Sequence, residues 1–350
     1  MPIELKNVYS TRNLGDAAIY AALVSMSPDR AASCSLNEDN PTRVEGLGPV
    51  RADTQPLARV GVGGDIFNNS RPALVTRKFL SLARELAGHR QPAFVFGQSL
   101  PPSCRGLALR YLSRVFRQLS SVTVRDEESE RRLRAMGVKV ELSFDTAFVL
   151  QPDAAHRNEA RKLLDSQGLA PERTTVVSLR GGSSHYGAGD AAIMSELGHV
   201  VQQLAGRGHQ VALLFQADCS VSDTDRHMAD ALVEAYPFVR VIDPFGCDEP
   251  GIEHWQLLQA ILAEVNIAVA VRYHTAVLRL AAGKVPYVLH YSNKGEDLCR
   301  RLRQPGAALG GGTAGIDISA IERSADASFN PALIAADVRQ HFAAALEDAA

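Results

Sequence analysis

The residues with the most chemistry to offer stand at the ends of short apolar runs. Ala268-Val269-Ala270-Val271 is wholly apolar and leads into Arg272-Tyr273-His274-Thr275, where a helix is expected to begin. A permanent cation, a titratable imidazole and a hydroxyl thus share one helix N-terminus, a place that already favours anions. Arg180 follows Val177-Ser178-Leu179 and precedes Gly181-Gly182. Its planar fork suits a carboxylate or phosphate, or else a structural ion pair. Lys294, in Tyr291-Ser292-Asn293-Lys294-Gly295, is either a point charge for phosphate or a solvated loop lysine. Together they point to recognition of a small polyanion, with His274 placed for proton transfer.

The first half carries loops of a different kind. Asn13-Leu14-Gly15-Asp16 precedes a helix and reads as an acceptor-binding N-terminus or as a simple cap. Gly63-Gly64-Asp65 follows an apolar run, and its glycines permit close approach of a ligand to the main chain or a tight turn. Gln98-Ser99-Leu100-Pro101-Pro102 lines a sugar pocket or forms a rigid turn. Arg125 and Asp126 suggest a structural pair with Ser129 one turn later, and Asp145 is either a base or a cap of the turn after it. Asp223-Thr224-Asp225 has the spacing of a metal and sugar-nucleotide motif, but it opens an expected helix and reads as a cap, so no metal is expected. The Gly310–Gly315 string matches a dinucleotide fingerprint in letters only, because neither a strand before it nor a helix after it is evident.

These loops need a scaffold that collects strand ends. Short apolar runs alternate with amphipathic stretches along the whole chain, the pattern of βα units around parallel sheets. At 350 residues and 46% apolar composition the chain fits two cores rather than one. The expected fold class is α/β, with two doubly wound Rossmann-like domains and a cleft between them. A stretch with Pro152, Gly168 and Pro171 marks the boundary. The expected division is 1–165, 166–330 and a closing helix over 331–350. In such sheets ligands sit beyond the carboxyl ends of the strands, where the loops above fall.

Net charge is −2, from 37 basic and 39 acidic residues, which argues against nucleic acid as main partner. Five widely spaced cysteines without a CxxC fit neither a disulfide framework nor a zinc site. With no apolar leader and no run long enough to span a bilayer, a cytoplasmic location is expected.

The order Asn13-x-Gly15-Asp16, Gly63-Gly64-Asp65, Arg125-Asp126-x-x-Ser129, Gly137-Val138, Asp145-x-x-Phe148, Arg272-x-His274 and Tyr291-x-x-Lys294 resembles the polysaccharide pyruvyl transferase family, from about residue 10 to 300. The resemblance implies a two-domain fold like that of GT-B glycosyltransferases. It implies phosphoenolpyruvate as donor substrate, no further cofactor, and a sugar hydroxyl pair as acceptor. Arg180, Arg272 and His274 match the positions where that family contacts its donor, and His274, poised beside the donor's anions, is the expected general acid. Asp65 and Gln98-Ser99-Leu100 depart from a more glycine-rich pattern, which leaves acceptor identity open. A lipid-linked oligosaccharide acceptor would bring the enzyme to the inner membrane face without an anchor. The alternatives are a GT-B-type glycosyltransferase using a nucleotide sugar, or a binding protein that has kept the fold without catalysis.

Overall fold

The computed structural model describes residues 3–8, 10–27, 32–34, 58–69, 71, 74–87, 92–180, 190–220 and 223–349. The chain forms two compact units. The first comprises Met1–Thr11, Asp16–Val149 and Ala332–Ala350; the second comprises Arg12–Gly15 and Leu150–Pro331.

The first unit contains β1 (Ile3–Lys6), α1 (Leu14–Met26), β2 (Ala32–Cys34), β3 (Arg59–Gly61), α2 (Arg77–Arg84), β4 (Ala93–Gln98), α3 (Leu107–Phe116), β5 (Ser121–Val124), α4 (Glu127–Ala135) and β6 (Glu141–Leu142). Its six strands are parallel in the order β2-β1-β3-β4-β5-β6. Strand β4 shows why both faces must be covered: every residue in it is buried. Val95 points into a core built with Phe79 of α2, Leu112 and Phe116 of α3 and Leu133 of α4. Phe94 and Phe96, one step out of phase, meet Phe342 edge-on from the C-terminal helix Ala332–Asp348.

The second unit contains α5 (Ala154–Ser166), β7 (Thr174–Ser178), α6 (Asp190–Gly206), β8 (Gln210–Leu214), β9 (Asp218–Ser220), β10 (Asp223–Thr224), α7 (Arg226–Ala235), β11 (Arg240–Ile242), α8 (His254–Glu264), β12 (Ile267–Ala270), α9 (Tyr273–Ala281), β13 (Tyr287–His290), α10 (Asn293–Leu302), β14 (Gly306–Ala308) and α11 (Ile318–Arg323). Its main sheet is parallel in the order β11-β8-β7-β12-β13-β14. This is the doubly wound arrangement in which chain direction across the sheet reverses between β7 and β12. Helices α6, α7 and α11 close one face around Leu197, Val200, Leu232 and Ile321. The α/β class and the GT-B-like pair of parallel sheets agree with the sequence reading.

Several elements differ from it. The helix expected from Asp223 begins at Arg226, because Asp223-Thr224 pairs antiparallel with β9 in a small ribbon. A strand does precede the glycine string at 310–315, namely β14; the string itself ends in a 3-10 turn over Thr313–Gly315, and the short helix α11 begins at Ile318. Glu196 of α6 accepts the backbone N–H groups of Gly310 (2.7 Å) and Gly312 (2.6 Å), so an internal carboxylate holds the loop that a phosphate would need.

Helix α8 ends inside the second unit, and its terminal carbonyls need donors. Arg279, 1% exposed, donates to the carbonyls of Leu262, Val265 and Asn266, and Lys284 donates to that of Val265 at 3.0 Å. Burial first, and the Arg279 charge second, pull the Lys284 ammonium down to about 8. The unfolded lysine therefore holds its proton at pH values where the folded one has lost it, and stability rises with pH across the window from about 8 to the ordinary lysine value. Lys284→Met should flatten that rise relative to the parent chain in urea midpoints measured across the window. An unchanged slope would show that Lys284 titrates like an exposed lysine.

Candidate functional site

The cations singled out in the sequence converge on the reversal point of the second sheet. Register pairs Val177 with Val269, so the segments after β7 and β12 leave the sheet side by side. The Ser178 hydroxyl accepts the N–H groups of Val271 (2.9 Å) and Arg272 (3.2 Å) and joins the two strand ends. Helix α9 starts directly afterwards, with Arg272 at its cap position but no side-chain cap bond. Helix α10 starts in the same way after β13. Two helix N-termini thus face the carboxyl end of the sheet, and both favour negative charge there.

Arg272 is 3% exposed, and its guanidinium is held from within. Its Nε donates to the carbonyl of Leu179 (2.8 Å) and to Oδ1 of Asp225 (3.0 Å), and Nη2 donates to the same carboxylate oxygen. The other oxygen of Asp225 accepts the N–H groups of Gln216 (2.7 Å) and Ala217 (3.0 Å) just after β8. Asp225 stands at the cap position of α7 yet makes no cap bond with its side chain. The DxD reading as a helix cap is therefore corrected: Asp225 is the counter-ion of Arg272. Arg180 and Lys294 are the more accessible cations. Arg180 lies 5.2 Å over the Tyr291 ring and Lys294 lies 5.8 Å over Tyr273, contacts that orient each charge while leaving part of it toward water. Gly181 and Gly182 lie outside the described residues.

His274 is 7% exposed, with its ring edge-on to Tyr273 at 5.4 Å. The Asn13-Leu14-Gly15 segment closes over it. Asn13 bridges Ala217, Leu14 N–H donates to the Gln216 carbonyl (2.9 Å), and Gln216 Oε1 accepts from the Thr275 hydroxyl (2.6 Å). Asn13 Oδ1 also accepts Gly15 N–H at 3.2 Å, so it does cap the start of α1. A Cβ on Gly15 would lie 2.5 Å from Cγ and 2.7 Å from Cβ of His274, so only glycine fits against this imidazole. Asn13, Gly15, Arg180, Arg272, His274 and Lys294 thus all lie at the strand ends of the second unit.

The remaining candidates belong to the first unit. Gly63 packs on the β4 backbone, where a Cβ would sit 2.5 Å from the Gly97 carbonyl and 2.8 Å from that of Phe96. Gly64, at φ 118°, adopts a conformation that glycine alone enters easily, and a Cβ there would meet Asp16 Oδ1 at 3.8 Å. Gln98 Nε2 donates to the carbonyls of Gly64 (2.6 Å) and Ser99 (2.7 Å). Asp16, Gly63, Gly64 and Asp65 therefore gather at the carboxyl ends of β3 and β4. The expected Arg125–Asp126 pair is corrected. Arg125 pairs with Asp145, each side chain 1% exposed, while Asp126 caps α4 through Ser129 N–H (2.8 Å). Asp145 also accepts Ala147 N–H at 2.9 Å, so both its oxygens have internal partners and it is poorly placed to be a base.

Sequence reasoning missed the roles of Asp225, Ser178 and Gln216. Their only signal is a position just after a strand, or in a short acidic cluster, with nothing to name the partner. A cavity of about 630 Å³ lined by Gln202, His209 and Phe238 opens at the amino-terminal ends of β8 and β11, away from these residues. Among the described residues no cluster of His, Cys, Asp or Glu could hold a metal ion.

Comparison with known proteins bears on the fold and the family. The chain resembles in fold a Staphylococcus aureus MnaA–UDP co-structure, at 10% identity and TM-score 0.58, with 94% of this chain and 92% of that one covered. It resembles the UDP-GlcNAc 2-epimerase of Neisseria meningitidis bound to UDP-GlcNAc, at 11% identity and TM-score 0.56, covering 93% and 90%. It also resembles an α,α-trehalose 6-phosphate synthase of Burkholderia multivorans, at 12% identity and TM-score 0.51, covering 83% and 71%. At these identities the likeness concerns the fold alone. No curated protein matches the sequence. The profile of the polysaccharide pyruvyl transferases matches residues 13–293, most of the chain, and the protein belongs to the polysaccharide pyruvyl transferase family.

Proposed function

We propose that this transferase forms a pyruvate ketal on a sugar of a polysaccharide or its precursor, with phosphoenolpyruvate as donor. The observation that carries the reading is the meeting of Arg180, Arg272, Lys294 and His274 where the strand order of one sheet reverses and two helices begin. A donor with a carboxylate and a phosphate needs two cationic holds and a proton source. Arg180 and Lys294 are the accessible cations, and Arg272 is a third, held rigid by Asp225.

In this mechanism His274 gives a proton to the methylene carbon of the donor. The double-bond electrons form the new C–H bond, leaving an oxocarbenium-like centre at the carbon that bears phosphate. A sugar hydroxyl adds there and releases its proton. Inorganic phosphate then leaves with its bonding electrons, and the second hydroxyl closes the ketal with loss of a second proton. The two bound anions would offset the repulsion that the neighbouring cations exert on a protonated imidazole. Fixed cations and helix N-termini supply the electrostatic part of the rate, and the clamped donor supplies the positional part. Asp145, read from the sequence as a possible base, has internal partners on both oxygens; Asp16 and Asp65 are the other candidates for a base.

A nucleotide-sugar glycosyltransferase is the second reading, because UDP-bound proteins share the fold. Release of inorganic phosphate from phosphoenolpyruvate across galactosides, glucosides and N-acetylhexosaminides supports ketal transfer. Release of a nucleotide from a sugar nucleotide, without use of phosphoenolpyruvate, overturns it.

Four substitutions test the residue roles. His274→Ala should lower phosphate release at least about 100-fold, the usual scale for loss of a general acid, while phosphoenolpyruvate binding by calorimetry persists. Full turnover would end its role as acid. For Gly15→Ala, helix propensity predicts a gain of about 1 kcal/mol. The collision with a buried ring opposes it by about 1–3 kcal/mol, so a net loss of stability and of kcat is expected. A more stable, fully active variant would mean that the ring has room to move. Asp225→Asn leaves the Arg272 charge uncompensated and should destabilise by about 3–5 kcal/mol in urea unfolding. Adding Arg272→Gln should recover part of that loss without restoring activity, and strictly additive losses would show the pair is not coupled.

A further inference from the structure

The charge of this chain is unevenly spread. Net charge is −2, yet between Ile66 and Arg125 the only acidic residue is Glu85. Helices α2 and α3 lie in this stretch and pack side by side on one face of the first sheet, burying Phe79 and Leu82 from one and Leu112 and Phe116 from the other. Their outer faces carry the basic residues. Arg77 and Arg84, two turns apart on α2, are exposed, as are Arg110 and Arg114 on α3 and Arg117 at its C-cap, all at helical spacing. Among the described residues none of these five arginines has a carboxylate partner, whereas the neighbouring α4 pairs Arg131 with Glu128 and Arg134 with Glu130. Two large apolar side chains flank the basic stripes: Leu74, just before α2, is 60% exposed and Leu107, which begins α3, is 53% exposed. Both helices run back against parallel strands, so both leucines lie toward the carboxyl end of the sheet, the end that carries Gly63 and Gly64.

We infer that the α2–α3 face of the first unit docks on an anionic lipid bilayer, with arginines at the headgroups and Leu74 and Leu107 entering the interface. An acidic leaflet attracts clustered basic residues, each worth about a fivefold gain in partition. Exposed leucines beside clustered arginines are what an interfacial contact uses. A nucleic acid would match the arginines but offers nothing to the leucines. Among the described residues no helix is long and apolar enough to cross a membrane, so this contact is peripheral. The inference stands apart from the pyruvyl-transfer reading, because it rests on a surface and not on the donor residues.

Flotation of the full chain with vesicles of phosphatidylcholine alone, or with about one third phosphatidylglycerol, tests it. Binding is expected only to the anionic vesicles, weakening as salt rises. Arg110→Gln with Arg114→Gln should lower partition about 25-fold. Leu74→Ser with Leu107→Ser should lower it about tenfold while preserving the salt dependence. Arg300→Gln with Arg323→Gln, an equal loss of charge on the second unit, should leave it unchanged. All these positions are exposed, and unchanged circular dichroism verifies folding. Equal binding to neutral and anionic vesicles, binding to neither, or loss with the second-unit control equal to that of the α3 variant overturns the inference. Tight binding to duplex DNA that the leucine substitutions do not alter, with vesicles left unbound, assigns the face to nucleic acid instead.

Discussion

The pairing of Arg272 with Asp225, both almost wholly buried, is the constraint from which the second unit's strand ends take their arrangement. A guanidinium placed there alone would carry a desolvation penalty of several kcal/mol, and so would the carboxylate. Paired, each can remain charged in a confined space. The pair also spans three chain segments. Arg272 follows β12, the carbonyl it also holds follows β7, and Asp225 gathers the two amides that follow β8. Loops that might otherwise sample many conformations are joined at one point, which lowers the conformational entropy that an anionic ligand would have to remove.

The same network reaches His274 through neutral hydrogen bonds. Gln216 receives Leu14 N–H on its carbonyl and the Thr275 hydroxyl on its side chain, so the start of α1 and the start of α9 are held to one residue. Gly15 then meets the imidazole face with no side chain between them. The positive end of a helix and a rigid cation thus stand beside a confined imidazole. Arg180 and Lys294 stack on the rings of Tyr291 and Tyr273 and are only partly buried.

The first unit uses its strand ends differently. Its buried pair, Arg125 with Asp145, is consumed internally, with Ser99 accepting the arginine Nε at 2.8 Å. What it offers at β3 and β4 is main chain: glycines pressed on a neighbouring strand, a turn open to left-handed geometry, and the carboxylates of Asp16 and Asp65. Backbone groups and carboxylates suit hydroxyl-rich ligands better than phosphates. The two units thus differ in chemistry although both are parallel sheets with helices on both faces.

Much of this was legible in the residues. Alternation of apolar runs with amphipathic stretches specifies βα units because a buried parallel strand admits no polar face, and β12, Ile267–Ala270, is the plainest case. Placement of Arg180, Arg272, His274 and Lys294 at strand ends follows from the same pattern, since each comes directly after an apolar run. Only the tertiary structure could decide partners. Asp225 looked like a cap because local spacing speaks of local bonds, whereas its cation lies 47 positions on. Arg125 likewise passed over its neighbour for a carboxylate 20 positions away. Strand β14, made of glycine and alanine, carries no hydrophobic signal and exists because β13 offers it an edge. Hydrophobic pattern is a one-dimensional property and survives in the sequence; which charge answers which is set by strand order, and strand order exists only once the sheet has formed.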